Sequence, residues 1–241
     1  MEITDQLIEQ TTRIDFIFIV ALFYFGSVHF LKKYYPEEKT MKLHNVLQIY
    51  NLLQITLNIY MVYNFTEIIS GYNIFGINKS YTANLKNTLY IHYLSKYLDY
   101  FDTYFMIVKG KHNQLSFLHI YHHGTIGIFW GVLINFGYGN GCCCFGAFAN
   151  SIIHTIMYTH YLITSFGIIN PFKKYITMLQ IGQFYLIFLH ALLVNIYETK
   201  NPVPIKYILL EYFFMITMIG LFGNFYNKTY KSIKTNVIRP D

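Results

Sequence analysis

A chain of 241 residues that is 54% apolar and only 12% charged, with a mean hydropathy of +0.32, carries about half the charge of a soluble domain, where roughly 25% is usual. So much apolar surface excludes a water-soluble globule. The apolar stretches run near 20 residues, the length that crosses about 30 Å of hydrocarbon at 1.5 Å per residue, which excludes a barrel as well. The expected fold class is all-α: a polytopic membrane bundle, one membrane-embedded domain over 1–241.

Seven spans are predicted, at about 14–31, 43–63, 89–108, 116–137, 145–166, 176–197 and 206–226. The first, Ile14 to Leu31, follows acidic Glu2, Asp5 and Glu9 and lacks the small-residue cleavage site of a signal peptide. After the second span come two sequons, Asn64-Phe-Thr and Asn78-Lys-Ser; a third, Asn227-Lys-Thr, falls on the opposite side of the membrane.

The third span carries His92, Lys96, Asp99, Asp102 and Thr103. At 100° per residue, His92, Lys96, Asp99 and Thr103 form one narrow stripe with Asp102 at its flank. Ionisable groups in a membrane are costly and mark function by default, although Lys96 and Asp99 could also act as interhelical glue. The fourth span opens with Ser116-Phe-Leu-His119-Ile-Tyr-His122-His123, where offsets of three and four place all three imidazoles on one face. Each ring has two nitrogens to satisfy, so the cluster reads as a metal site or as acid, base or nucleophile.

Cys142 to Cys144, at the entrance to the fifth span, have no zinc spacing and read as small apolar residues. Within that span Asn150, His154 and Tyr158 recur every four residues, Tyr161 continues the same side, and His160 points elsewhere. The sixth span adds Thr177, Gln180 and Gln183, amides that equally suit interhelical hydrogen bonds.

Placing the N-terminus in the lumen puts Lys32, Lys33, Lys39, Lys42, Lys109, Lys111, Lys173, Lys174, Lys228, Lys231, Lys234 and Arg239 in the cytosol. That leaves Arg13, Lys79, Lys86, Lys200 and Lys206 outside, twelve cations against five, so the C-terminus is expected to be cytosolic. The ring of cations suits the phosphates of a coenzyme A ester, or simply anionic lipid headgroups.

At these residues the chain resembles the very-long-chain fatty acid elongase (ELO) family, membrane 3-ketoacyl-CoA synthases of the endoplasmic reticulum. The resemblance is carried by Lys96-Tyr-Leu-Asp99-Tyr-Phe-Asp102-Thr103, by the box His119-Ile-Tyr-His122-His123 with its lead-in from Gln114, by Asn150 to Tyr161, by Thr177-Met-Leu-Gln180, and by Asn224-Phe225-Tyr226 with Tyr230. Order and spacing agree from about residue 20 to 230. Asp99 stands where the family usually has Glu, and His160 where it usually has Tyr.

The resemblance implies condensation of long-chain acyl-CoA with malonyl-CoA to 3-ketoacyl-CoA, CO2 and CoA, with no metal and no bound cofactor. It points to His119, His122, His123, His154, Lys96, Asp99, Asp102 and Asn150 as catalytic. Thr103, Gln114, Tyr158, Tyr161, Gln180, Lys109, Lys111, Lys173 and Lys174 are expected to bind substrate. His122 is expected to attack the thioester, with His119 and His123 moving protons and fixing tautomers. Lys96, Asp99 and Asp102 would orient the histidines, and Asn150 and His154 would donate to the developing oxyanion. An acyl tunnel between spans would set product length. Expected partners are membrane lipid, a 3-ketoacyl-CoA reductase, a dehydratase, an enoyl reductase and a second copy in a homodimer, with no nucleic acid. Two rival readings follow from other features. A di-iron desaturase shares the His-x-x-His-His box, but it needs about eight histidines in several boxes, whereas the remaining ones here are scattered. A transporter would need Gly- or Pro-broken helices at the midplane.

Overall fold

The computed structural model describes residues 5–36, 38–71, 73–80, 82–137, 143–200 and 202–231. All regular structure among them is helical: α1 (Asp5–Thr12), α2 (Ile14–Tyr34), α3 (His44–Phe65), α4 (Ala83–Leu98), α5 (Tyr100–Val108), α6 (Phe117–Asn135), α7 (Cys144–Ser165), α8 (Lys173–Tyr197) and α9 (Ile205–Tyr226). Four of these, α2, α6, α8 and α9 with its continuation to Tyr230, are long and apolar enough to cross a membrane. The chain is therefore a multi-pass membrane protein. On its outer surface Leu22 and Phe23 are 69% and 70% exposed, a contiguous apolar face that only lipid covers at no cost.

The other expected spans are helical but more polar. In α3 the buried face carries Asn51, Gln54 and Asn58, and in α7 it carries Ser151 and His154. The segment expected at 89–108 starts earlier and is broken. Thr82 caps α4 by accepting a hydrogen bond from the Leu85 amide at 3.2 Å. At Asp99 the chain tightens (φ −62°, ψ −16°), and the Asp102 amide bonds to the Asp99 carbonyl at 3.2 Å, dividing α4 from α5. α5 then ends in Gly110 at φ 65°, a left-handed stop at which a side chain would be strained.

Packing brings α3 against α7, α8 against α9 and α2 against α6. The α2 to α6 contact is close because α6 presents glycines: a Cβ on Gly131 would lie 2.7 Å from Ile17 Cδ1 and 3.1 Å from a Tyr93 ring carbon. The main core joins Phe65, Leu89, Tyr93, Phe129, Trp130, Phe184 and Met218. A second cluster of Tyr24, Val28, Tyr100, Ile107 and Leu115 packs beside the start of α6. At the opposite end, the loop before α4 is clasped to the loop after α8. Asn78, at φ 58°, donates through its side chain to the Tyr197 carbonyl at 2.8 Å and accepts from the Thr199 and Lys200 amides at 2.9 and 3.0 Å. The amide of this sequon is thus occupied by the clasp. Cys142 lies outside the described residues; Cys144 is buried against the Leu85 carbonyl.

Candidate active site

The three-histidine box sits on the first turns of α6. Ser116 caps that helix by accepting from the His119 amide at 3.2 Å, which fixes where the helical register begins and hence which face the imidazoles share. The His119 and His123 rings stand 4.2 Å apart, and His122 and His123 5.3 Å apart. His119 Nε2 is 2.9 Å from the Thr103 hydroxyl, and that hydroxyl is 2.9 Å from the Tyr24 oxygen, so the first ring is tied to α5 and α2.

Beside the box lies a buried ionic cluster. Lys96 donates to Asn150 Oδ1 at 2.9 Å and reaches Asp99 Oδ2 at 3.4 Å, with both charged side chains only 2% exposed. Asp99 Oδ1 accepts from Gln54 at 2.9 Å and from Tyr158 at 3.1 Å. Tyr158 also lies 2.7 Å from Asp102 Oδ2. His154 Nδ1 stands 3.9 Å from Asp99 Oδ2. Taking two charges out of water costs several kcal/mol each unless their remaining bonds are met, and here α3, α4 and α7 meet them together. His92 extends the stripe, 3.4 Å from the Ser151 hydroxyl and edge-on to Trp130 at 5.0 Å.

His122 faces a narrow slot between α6, α7, α8 and α9. As a cavity it measures only about 20 Å³. From His122 the lining follows one face of α6 through Ile126, Phe129, Trp130 and Leu133, opposite Asn150, Gly146 and Cys143 on α7. Eleven residues of helix make it about 16 Å long. Its walls are apolar except for Gln183 and, far from the histidine, Glu211.

The structure therefore brings together His119, His122, His123, His154, Lys96, Asp99, Asp102, Asn150, Thr103 and Tyr158. It does not bring in the others. Gln180, on the buried face of α8, donates to Met157 Sδ of α7 at 3.4 Å. Gln114 is exposed in the turn before α6. Tyr161 is 38% exposed, reaching the cluster only through edge contact with Tyr158 at 5.9 Å. Lys111 is exposed and Lys109 half-buried in the turn before α6, and Lys173 and Lys174 are exposed at the start of α8. His160, expected to point away, is buried at 8% exposure on another face of α7.

Three participants were missed by sequence reasoning. Gln54 and Tyr50, bonded to each other at 3.0 Å, deliver α3 to the cluster. The signal existed: Asn51, Gln54 and Asn58 recur at offsets of three and four within an expected span. Glu211 is the third, a carboxyl in the middle of an apolar helix. Among the described residues, no three His, Cys, Asp or Glu side chains are placed to hold a metal ion.

Comparison with known proteins gives consistent results. The model of the ELO: GNS1/SUR4 family matches residues 10–237. "Fatty acid elongase 5" of Leishmania major is 39% identical over 211 residues, which cover 88% of this chain and 84% of that protein. "Fatty acid elongase 5" of Trypanosoma cruzi is 38% identical over 208 residues, covering 86% and 81%. The human "Very long chain fatty acid elongase 4" is 35% identical over 219 residues, covering 84% and 67%.

Proposed function

We propose how the site works from the premise that the chain belongs to the ELO (GNS1/SUR4) family: it is a fatty acid elongase, an acyltransferase of the 3-ketoacyl-CoA synthase type, and His122 carries the acyl group. The observation that carries this reading is that His122 and Asn150 line the same largely apolar slot. A nucleophile with an amide beside it is what acyl transfer needs. The His122 nitrogen attacks the thioester carbon, the carbon–sulfur bond breaks, and CoA leaves with the imidazole proton. Malonyl-CoA then loses CO2, its enolate carbon attacks the acyl-imidazole, and His122 is released. His119 and His123 hold tautomers and move protons, while Lys96, Asp99 and Asp102 orient His154 and Asn150 toward the enolate oxygen. No metal or bound cofactor enters this scheme.

The same reading takes the seven long helical segments, with α4 and α5 counted as one, as seven spans of a single domain. The N-terminus is lumenal, the C-terminus cytosolic, and the membrane is that of the endoplasmic reticulum. Lys109, Lys111, Lys173 and Lys174 then ring the cytosolic side, where the CoA phosphates arrive, and Thr103 and Tyr161 flank the entering thioester. The acyl chain lies in the slot, which becomes a tunnel when filled, each buried methylene contributing about 0.8 kcal/mol. Its product is a 3-ketoacyl-CoA, so a reductase, a dehydratase and an enoyl reductase follow; a homodimer is the assembly tested alongside them. The deciding measurement is incorporation of labelled malonyl-CoA into longer acyl-CoA by the purified protein and by His122→Ala. Incorporation that vanishes in the variant supports the reading; none in the wild type removes it.

A further inference from the structure

Condensation leaves a proton unaccounted for, and the cluster beside the histidines holds one that its charges do not need. In the first half-reaction the imidazole's own proton leaves with CoA, so atoms and charge balance. In the second, the malonyl carboxylate departs as neutral CO2 and the carbon–nitrogen bond of the acyl-imidazole breaks with its electron pair on His122. One external proton must therefore reach His122 in every turnover.

The hydrogen count shows where it is stored. A phenol has one hydrogen, yet the Tyr158 oxygen lies 2.7 Å from Asp102 Oδ2 and 3.1 Å from Asp99 Oδ1. If both carboxyls were ionised, one of these contacts would set oxygen against oxygen with no hydrogen between. If Asp102 carries a proton, it donates to Tyr158 and Tyr158 donates to Asp99. The two hydrogens of the Gln54 amide then go to Asp99 at 2.9 Å and Tyr50 at 3.0 Å, and its longer approach to the Tyr158 oxygen, 3.3 Å, is left without one. The charge count agrees. The cluster's one cation, Lys96, is already paired with Asp99. The side chain that meets Asp102 across the helices is Tyr158 of α7, which is no cation.

From these contacts, and resting on the acyl-histidine reading above, we propose that Asp102, Tyr158 and Asp99 form a proton relay that reprotonates His122 through His154 during the malonyl-dependent half-reaction. Asp102 gives its hydrogen to Tyr158, Tyr158 gives its own to Asp99 Oδ1, the Asp99 carboxyl turns to present that hydrogen to His154 Nδ1, and His154 releases the one on its other nitrogen to His122. His154 Nδ1 is buried with no hydrogen-bond partner and stands 3.9 Å from Asp99 Oδ2, so that contact must shorten by about 1 Å, to ordinary hydrogen-bond length, when the relay fires. His154 stands one helical turn beyond Asn150, which lines the slot together with His122. Asp102 acts through Tyr158 and Asp99 and touches no substrate; its hydrogen is replaced from solvent between turnovers.

The test separates the two half-reactions in the purified full-length protein. CoA release from acyl-CoA alone reports acyl transfer, and malonyl-dependent product reports condensation. In Tyr158→Phe, which keeps both carboxyls and the lysine, and in Asp102→Asn, condensation is expected to fall about 100-fold or more, the usual contribution of a placed acid. Acyl transfer should fall far less, and Asp102→Glu should recover part of the condensation rate. Equal loss in both half-reactions would reduce the trio to a structural role and overturn the relay, as would condensation unaffected in both variants. Failure of the reading beneath it looks different: wild-type protein would then release no CoA from acyl-CoA alone.

Discussion

Asp99 is the residue on which most of the cluster's bonds converge, and it is one carbon shorter than the residue its family usually carries there. Its contacts to Lys96 and His154 are long, 3.4 and 3.9 Å. Removing its charge while leaving Lys96 buried should be severe: Asp99→Asn is expected to lose about 3–5 kcal/mol, the range for breaking a buried pair on one side. Thermal unfolding in detergent would show it, and a variant that melts with the wild type would refute the pairing. Gln54→Leu removes a donor to the same carboxylate and is expected to cost about 1–3 kcal/mol by the same assay. The histidine box, the lysine and both aspartates are legible in the sequence because ionisable residues are rare in apolar helices. Gln54 was not read that way, since an amide in a span is usually taken as an interhelical bond. What it bonds to depends on α3 lying against α7, which no local pattern specifies.

At the level of elements, the start of α6 and its glycine face do the positioning. Ser116 sets the first turn and therefore the angle at which three imidazoles leave the helix. Ser116→Ala is expected to cost about 1 kcal/mol, typical of a lost N-cap, and to lower the condensation rate more than it lowers stability, which parallel melting and activity measurements would separate. Gly131→Ala places a methyl 2.7 Å from Ile17 Cδ1 and pushes α2 from α6. Against a helix-propensity gain of about 1 kcal/mol, overpacking of about 1–3 kcal/mol leaves it neutral to destabilising, and a clearly raised melting temperature would contradict the close contact. The expected boundaries match α2, α3, α6, α7, α8 and α9 within a few residues, because hydropathy marks where chain can lie in lipid. The break at Asp99 was not visible, for its cause is the set of partners that α3 and α7 bring to that side chain.

For the molecule as a whole, the slot is the feature that four helices make and none contains. Gly146 stands on its wall with ordinary contact distances, 3.7 Å from Ile187 and Trp130, so a Cβ there is accommodated while a longer side chain must enter the slot. Gly146→Leu is therefore expected to shift products one elongation cycle shorter at little cost in stability; an unchanged product spectrum would place the acyl chain elsewhere. Glu211, with no partner among the described residues and apolar neighbours along the slot, should by the same logic destabilise the bundle as it stands. Glu211→Gln is expected to raise the melting temperature, since a neutral amide is cheaper to bury than a carboxylate.

The sequence by itself determined the class of the protein, the places of most helices and the residue types of its chemistry. Each of these follows from local quantities: transfer of side chains to hydrocarbon, helical periodicity, and the cost of a charge in lipid. Only the tertiary structure decided which polar residues meet. It put Gln54 and Tyr50 into the cluster, sent Gln180 to Met157 and left Tyr161 at the rim. It also set His122 on the same slot as Leu133 and Cys143. Those outcomes depend on how α3, α7, α8 and α9 turn about their own axes when packed, and rotation about a helix axis is fixed by contacts with neighbours, not by the helix's own residues.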